Sequence, residues 1–320
     1  MSFRLRIIAV VGPTASGKSA LALALARAFD GEIVSCDSTA VYRGLDIGTD
    51  KPSPEARAEV RHHLVDVAEP TDVYSAARYA QDAAGAIRDI TRRGRLPIVA
   101  GGTGFYYRAL VRGLFPGPAR DDRLRARLDR VASRRGVESL HRWLARVDRS
   151  SALRIQPRDR KRLVRALEVY LLTGRPLTDH FEDTQSAIPG YAVHTVGVVL
   201  PRPELRARVA ARVDDQLARG VVGEVERLIA AGVPDRAHAF SGLVYRQIME
   251  MRRGIRGLAE TRDLIVQENM RYARRQLIWF RKEPNVIWLR GAGESQAAQT
   301  EARSGVDLFF AGLGTENVPS

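Results

Sequence analysis

The fold is decided by the stretch Gly-Pro-Thr-Ala-Ser-Gly-Lys-Ser at residues 12–19, which lies between the apolar run Leu5–Val11 and an alanine-rich run at 20–29. This pattern is typical of a phosphate-binding loop between a strand and a helix. The glycines let backbone N–H groups turn inward around a phosphate, and the following helix directs its positive end to the same place. Lys18 adds a mobile charge, and Ser19 adds a hydroxyl ligand for Mg²⁺. The stretch therefore predicts a site for a diphosphate or triphosphate group.

Two more strand ends are expected beside this loop. The apolar run at 32–36 is followed by Asp37, and the run at 96–100 is followed by Gly-Gly-Thr-Gly at 101–104. In a doubly wound parallel sheet, ligands bind beyond the carboxyl ends of the strands, so all three ends should face one crevice. A P-loop ATPase usually places a Mg²⁺-binding aspartate after a later apolar strand, where this chain has glycines and Thr103. That difference argues against ordinary ATP hydrolysis.

The order of apolar runs predicts an α/β protein, namely a P-loop NTPase-like parallel sheet flanked by helices, with an inserted all-helical domain. The catalytic core is predicted at 1–118 and 188–290, the basic helical insertion at 119–187, and a poorly ordered polar tail at 291–320. Strands are predicted near 5–11, 32–36, 64–67, 96–100, 191–200 and 286–289. Helices are predicted near 18–28, 54–62, 75–93, 121–136, 137–147 and 157–173, and over most of 203–281.

Composition limits the possible classes. The chain has 320 residues and one cysteine, Cys36, so no internal disulfide can form, which fits a reducing cytoplasm. No apolar stretch approaches the length of about 18 residues that a membrane span needs, and the N-terminus lacks a signal-peptide layout. We therefore expect a cytoplasmic monomer with no membrane partner. Cys36 adjoins Asp37 but has no activating base beside it, so a small buried strand-end residue is favoured over a nucleophile.

The positive charge is unevenly distributed. The formal net charge is +14, and residues 119–175 alone contain 17 Arg or Lys against 7 Asp or Glu. Such a cluster is typical of a polyanion partner, here a nucleic acid, although a merely solvated basic face is the alternative. On the third inserted helix, Lys161 and Arg165 share one face, which favours an anion that neutralises them. Pairing of Arg165 with a nearby acid such as Glu168 is the alternative.

Several blocks occur in a fixed order: the loop at 12–19, Asp37-Ser38 with Tyr42, Asp-Ile-Gly-Thr-Asp-Lys-Pro at 46–52, His-His-Leu at 62–64, Gly-Gly-Thr-Gly-Phe-Tyr at 101–106, Lys-Arg-Leu-Val-Arg-Ala-Leu-Glu at 161–168, and Arg-Arg-Gln-Leu-Ile-Trp-Phe-Arg at 274–281. In these blocks the chain resembles the tRNA dimethylallyltransferase (tRNA isopentenyltransferase) family, bacterial type. The resemblance runs from the phosphate loop to about residue 289. The loop alone is generic, but the ordered set is specific.

The resemblance implies transfer of a dimethylallyl group from dimethylallyl diphosphate to N6 of the adenine 3′-adjacent to the anticodon in the tRNA anticodon stem-loop, giving N6-isopentenyladenosine. It implies that Asp37 is the general base and that Thr103 helps to hold the flipped-out adenine. Mg²⁺ would lie near Ser19. The implied diphosphate ligands are Gly12, Pro13, Thr14, Ala15, Ser16, Gly17, Lys18, Ser19 and Arg212, with Arg208 as a second arginine candidate. The implied tRNA contacts are Asp37, Ser38, Thr39, Ala40, Thr103, Arg125, Lys161, Arg162, Leu163, Val164, Arg165, Tyr245, Arg246, Arg274, Arg275 and Arg281.

The chain also departs from the family pattern. Ala40 stands where the family commonly has Gln, and Val244 stands where a Gly usually precedes Tyr245. A zinc-finger extension cannot form, because the chain has one cysteine. Two other classes remain open from the residues alone. A small-molecule or nucleoside kinase would use Asp37 as the base for a hydroxyl acceptor. A non-catalytic RNA-binding module would leave Asp37 and Thr103 without a purpose.

Overall fold

A computed structural model describes residues 5–312 of the chain. Its sheet has six parallel strands in the order β3-β2-β4-β1-β5-β6. The strands are β1 Leu5–Val11, β2 Gly31–Ser35, β3 His62–His63, β4 Leu96–Gly101, β5 Tyr191–Val199 and β6 Val286–Arg290. Because β1 lies between β4 and β5, its buried part, residues 7–11, is a continuous apolar run and not an alternating one. The predicted fold class is confirmed.

The chain divides into two compact units, of which the second is Arg112–Ser186. The first unit contains α1 Lys18–Ala28, α2 Pro54–Glu59, α3 Ala76–Arg92, α4 Gly104–Val111, α9 Arg202–Ala218, α10 Val221–Ala230, α11 Tyr245–Arg252, α12 Leu258–Phe280 and α13 Gln296–Phe310. The second contains α5 Asp122–Arg135, α6 Val137–Val147, α7 Arg149–Arg154 and α8 Arg160–Thr173. None of these described helices combines the length and the apolar character that a membrane span requires.

The second unit is all-helical around its own apolar core. Leu128, Leu140, Leu144, Leu163 and Leu167 are buried in it. The unit begins earlier than the predicted residue 119, because the segment that leads into α5 belongs to it: Leu114 forms an antiparallel bridge with Gln185 near its other end. The two ends of the insertion are therefore joined to each other.

Two predicted elements are wrong. The third strand is not at 64–67 but at His62–His63, because Leu64 and Asp66 have φ angles of 61° and 58°, which a strand cannot contain. The tail predicted to be poorly ordered contains α13, in which Ala298, Ala302, Val306 and Phe309 are buried in the core of the first unit. Their spacing of four, four and three residues is that of a helix face. The rest of the predicted tail, 313–320, lies outside the described residues.

Candidate active site

The phosphate loop has the backbone shape that its sequence predicts. Gly12 and Gly17 have φ angles of 142° and 90°. A Cβ atom at Gly12 would lie 2.6 Å from the carbonyl oxygen of Val198, so only glycine fits there. Helix α1 then begins at Lys18 without a side-chain cap. Among the described residues we find no acceptor for the backbone N–H groups of residues 15–19, which makes this helix end an anion site.

Lys18 lies inside this loop. Its Nζ donates to the carbonyl oxygen of Pro13 at 2.9 Å. Burial, with a contribution from the neighbouring charge of Arg212, lowers the pKa of Lys18 to about 8, although the Asp37 carboxylate opposes the shift. A buried ammonium with a lowered pKa gains free energy when an anion binds beside it. The position and the lowered pKa of Lys18 therefore favour binding of a phosphate beside it.

Helix α9 places two arginines beside the loop, four residues apart. Arg212 donates to Oγ1 of Thr14 at 3.0 Å and pairs with Asp50 at 3.2 Å. Arg208 donates through Nε to the carbonyl oxygen of Ala15 at 2.8 Å. Both line the same cavity. The structure thus brings Arg212, the predicted residue, to the loop and brings Arg208 with it.

Asp37 has one anchored and one unbonded oxygen. Oδ1 accepts hydrogen bonds from the N–H of Thr39 at 2.8 Å, from its hydroxyl at 2.7 Å, and from the N–H of Ala40 at 3.3 Å. Among the described residues we find no hydrogen bond to Oδ2. Three donors on one oxygen fix the orientation of the carboxylate. The second oxygen is therefore available as a proton acceptor at the cavity that Asp37 lines.

Thr103 lies against the segment that follows Asp37. Its Oγ1 accepts from the N–H of Ser38 at 3.0 Å and donates to Oγ of Ser38 at 3.4 Å, and its own N–H donates to the carbonyl oxygen of Cys36 at 3.1 Å. Burial raises the pKa of the Cys36 thiol to about 12. A thiol that stays protonated is not a nucleophile, so the interpretation of Cys36 as a buried strand-end residue holds.

One cavity of about 570 Å³ joins the phosphate loop, the two arginines and Asp37, whereas Thr103 lies behind Ser38 and does not line it. The phosphate loop, Asp37, Ser38, Thr39 and Ala40 all contribute to its wall. The predicted meeting of three strand ends is confirmed, because Ala100 and Gly101 at the end of β4 line the same cavity as the segments after β1 and β2. A cavity of this size holds a small ligand of a few hundred Å³.

Sequence reasoning missed one face of α12. Asn269, Tyr272 and Gln276 line the cavity at positions i, i+3 and i+7. Burial and the charge of Asp37 raise the pKa of Tyr272 to about 12, while an interaction with Thr103 opposes the shift. The hydroxyl of Tyr272 therefore stays protonated beside the two predicted catalytic residues. The three polar residues on one helix face were a signal that could have identified them.

The predicted tRNA contacts of the first unit differ from one another in exposure and pairing. Tyr245 is fully buried and donates to Oε1 of Glu224 at 2.7 Å, so its prediction as a tRNA contact is wrong. Glu224 in turn accepts from the backbone N–H groups of residues 46–48, so the pair shapes that loop. Arg246 pairs with Glu268 at 3.5 Å. The remaining predicted cations of this unit are exposed, and they are Arg274, Arg275 and Arg281.

In the second unit, the predicted block on α8 divides into two sets. Leu163 and Val164 are buried in the apolar core, so their prediction as tRNA contacts is wrong. Arg165 and Arg125 bind the buried Glu168 at 2.6 Å and 2.7 Å, which is the alternative that the sequence left open. Although burial opposes it, these bonds lower the pKa of Glu168 to about 2. Lys161 and Arg162 are exposed, and Arg162 pairs with Asp159 at 3.5 Å.

The oxygens near the loop suit Mg²⁺ only together with a phosphate. Ser19 lines the cavity as Asp37 does. Within residues 5–312 there is no group of three or more His, Cys, Asp or Glu residues that could hold a metal ion by itself. Mg²⁺ is usually bound by one or two protein oxygens, with substrate phosphates and water completing the octahedron. The residues present fit that mode of binding.

Comparison with known proteins gives a consistent result. A family model described as "IPP transferase" matches residues 40–283. The tRNA dimethylallyltransferases of Geobacter metallireducens and Thermomicrobium roseum are 47% and 48% identical, over 90% of this chain and over 94% and 87% of theirs. The crystal structure of the tRNA isopentenylpyrophosphate transferase of Bacillus halodurans superimposes with a TM-score of 0.69, at 33% identity over 96% of both chains. A eukaryotic dimethylallyltransferase acting on tRNA shares the fold, with a TM-score of 0.79 at 23% identity, over 96% of this chain and 80% of that one.

Proposed function

The chain belongs to the IPP transferase family and is an enzyme that transfers an isopentenyl group to tRNA; we propose that its donor is dimethylallyl diphosphate. The proposed acceptor is N6 of the adenine 3′-adjacent to the anticodon, and the product is N6-isopentenyladenosine. The single observation that supports this proposal is the cavity in which an uncapped phosphate loop and a fixed carboxylate face each other. A transferase with a diphosphate leaving group needs both.

The proposed reaction is a displacement at C1 of the dimethylallyl group. The bond from C1 to the diphosphate oxygen breaks, the bond from N6 to C1 forms, and N6 loses one proton. Lys18 and the N–H groups of residues 15–19 would stabilise the negative charge that develops on the diphosphate, since donors placed in advance need no reorganisation. Oδ2 of Asp37 would accept the proton. A carboxylate is a weak base, but this suffices because the amine becomes acidic as the C–N bond forms.

Thr103 and Tyr272 are proposed to hold the adenine. Enzymes that act on a base must extrude it from its stack and bind its edge. The hydroxyl of Thr103 is already oriented by Ser38. Ala40 offers no polar group where the family commonly has Gln, so the base edge would depend more strongly on these hydroxyls.

Mg²⁺ is proposed as the cofactor, held by the hydroxyl of Ser19 and by the oxygens of the bound diphosphate. It would supply positive charge at the leaving group. Asp37 lies at the same cavity, but we assign it to the proton and not to the metal because three donors fix its orientation.

For the tRNA, we propose that the exposed cations contact backbone phosphates. On the second unit these are Lys161 and Arg162, and on the first they are Arg274, Arg275 and Arg281. Contacts of this kind supply affinity and position but carry no base sequence. The net charge of residues 119–175 supports the same assignment.

The test is incubation with dimethylallyl diphosphate and unmodified tRNA, followed by mass analysis of the nucleosides. We expect N6-isopentenyladenosine at one position of the anticodon loop and release of diphosphate. A parallel reaction with ATP and a panel of small hydroxyl acceptors tests the kinase alternative. Formation of ADP with no prenylated nucleoside would replace the proposal by the kinase function.

A further inference from the structure

Gln276 joins the phosphate loop to the end of β4. Its Oε1 accepts from the backbone N–H of Thr14 at 2.8 Å, and its Nε2 donates to the carbonyl oxygen of Gly102 at 2.9 Å. The residue is 6% exposed. A Cβ atom at Gly102 would collide with Nε2, so the amide is tightly held on that side. Both ends of the side chain are therefore used.

The hydrogen bond from Thr14 to Gln276 makes the backbone N–H at one end of the phosphate loop, the closed end, unavailable to a ligand. The N–H of Thr14 is bound to Gln276, and its hydroxyl is bound to Arg212. The N–H groups of residues 15–19 have no acceptor among the described residues. The loop thus presents its free backbone N–H groups on the side of α1 and none at Thr14.

The position of the Lys18 ammonium indicates where a third phosphate would lie relative to Gln276. In triphosphate-binding loops the backbone N–H groups hold the inner phosphates, and the lysine reaches the outer two. Here Nζ lies on the carbonyl oxygen of Pro13, next to Thr14. Lys18, Thr14 and Gln276 line the same cavity, so a third phosphate placed on the side of Pro13 and Thr14 would face Oε1 of Gln276, which is an acceptor. The amide oxygen and a phosphate oxygen are both acceptors, so they repel each other. Moving the Gln276 amide away would leave the buried carbonyl oxygen of Gly102 without its hydrogen-bond donor.

We propose that Gln276 determines specificity at the phosphate loop: it admits a diphosphate and excludes the third phosphate of a triphosphate. The proposal rests on the proposed function, which requires a diphosphate donor, and it assigns the discrimination to one side chain. It also gives a physical reason why a loop with the complete triphosphate-binding pattern would not use ATP.

The experiment measures inhibition of prenyl transfer, or direct calorimetric binding to the full-length protein, by inorganic pyrophosphate and by tripolyphosphate. Tripolyphosphate carries more negative charge, so a purely electrostatic site would prefer it. We expect the wild type to bind pyrophosphate more tightly. Equal or tighter binding of tripolyphosphate by the wild type would overturn the proposal, whatever the variants do.

The variant Gln276→Ala should bind tripolyphosphate at least about tenfold better relative to pyrophosphate, a change of about 1.4 kcal/mol, because the facing acceptor is removed. Gln267→Ala, at an exposed position of the same helix, is the matched control and should keep the wild-type ratio. Gln276→Glu keeps an acceptor toward Thr14, loses the donor to Gly102 and adds a negative charge, so it should weaken the binding of both anions, and that of tripolyphosphate more strongly. If Gln276→Ala lowers the affinity for both anions by the same factor, Gln276 only stabilises the conformation of the loop and the proposal is wrong.

The binding ratio does not depend on prenyl transfer. A wild type that makes no N6-isopentenyladenosine but shows the expected ratio would contradict the proposed function and leave the phosphate selectivity of Gln276 standing. If the wild type prenylates tRNA but Gln276→Ala keeps the wild-type ratio of tripolyphosphate to pyrophosphate binding, the proposed function stands and the proposal for Gln276 is wrong.

Discussion

At the scale of single residues, the carboxylate of Asp37 combines rigidity with reactivity because its two oxygens have different surroundings. Oδ1 is held by Thr39 and Ala40, so the carboxylate does not need to be ordered by the substrate. Preorganisation of this kind lowers the free energy needed to reach the transition state.

Asp37→Asn keeps the anchored oxygen as an acceptor but removes the base. We expect the single-turnover rate of transfer to fall by about 10²–10⁴, while the dissociation constant for tRNA stays within a few-fold of the wild type. Rapid-quench kinetics and filter binding measure the two quantities. A variant that turns over at nearly the wild-type rate would remove Asp37 from the mechanism.

Lys18 gives a pH dependence with a definite sign. Its pKa is lowered to about 8, so the charged form that binds diphosphate is lost as the pH rises through that value. The kcat/KM for dimethylallyl diphosphate, which reports on the free enzyme, should therefore fall above about pH 8. The kcat at saturating donor should fall only at higher pH, because the bound anion raises the pKa of Lys18. A kcat/KM that is flat to pH 9.5 would contradict this assignment.

At the scale of elements, the segment between β6 and α13 supports the phosphate loop from outside. The N–H of Gly293 donates to the carbonyl oxygen of Ser16 at 3.0 Å, and Glu294 pairs with Arg208. A Cβ atom at Gly293 would collide with the carbonyl of Gly17. This contact lies beyond residue 283, where the match to the family model ends.

Gly293→Ala should push the loop at Gly17 and weaken the donor site. We expect the KM for dimethylallyl diphosphate to rise several-fold, with little change in tRNA affinity, because no exposed cation of the tRNA surface is moved. Gly257→Ala is the control, since a Cβ atom there meets nothing within 4 Å. Equal donor KM values for the two variants would show that the segment does not position the loop.

The exposed cations of α8, Lys161 and Arg162, should respond differently to substitution from Arg165, which binds the buried Glu168. Replacing Lys161 and Arg162 by Ala should raise the tRNA dissociation constant and flatten the slope of log K against log salt by about 1–2, because each lost phosphate contact removes about 0.7–0.9. Salt titrations of tRNA binding measure this slope. An unchanged slope would identify the pair as a solvated surface.

The matched substitution on the same helix is Arg165→Ala. It removes one of two arginines from the buried Glu168, so it should lower the melting temperature of the protein. Its salt slope should change less than that of the Lys161 and Arg162 double variant. This contrast separates affinity for phosphate from stability of the second unit.

At the scale of the whole molecule, His194 links the sheet to α13 without any hydrogen bond among the described residues. Its ring stacks on Phe309 at 5.2 Å, and neither ring nitrogen has a partner. Burial lowers the pKa of His194 below its ordinary value of 6.5. Arg6 lies over the ring of Phe309 at 5.8 Å, so a second positive charge would be disfavoured further.

The folded protein therefore binds fewer protons at His194 than the unfolded chain does. Its contribution to stability is complete above about pH 6.5 and is lost as the pH falls below that value. We expect the free energy of unfolding to decrease from pH 7 to pH 5, and His194→Met should remove part of this decrease. Urea titrations at several pH values test it. The same pH dependence in the variant would exclude His194 as a cause.

The sequence by itself determined the phosphate loop, the parallel sheet and the positions of Asp37 and Thr103 at strand ends. These features depend on local rules, because glycine spacing sets the turn and a buried parallel strand is apolar over most of its length. The helical insertion followed from the same kind of reasoning.

Only the tertiary structure decided which polar residues meet. Gln276 reaches Thr14 across 262 positions of sequence, and Glu168 rather than an RNA phosphate holds Arg125 and Arg165. Val244 has a φ of 73°, a conformation that glycine adopts more easily, which explains why the family usually has Gly there. The helical tail was missed although its buried residues have helical spacing, because two of the four are alanines whose burial depends on packing against the rest of the first unit. Contacts distant in sequence depend on packing, and local patterns do not contain them.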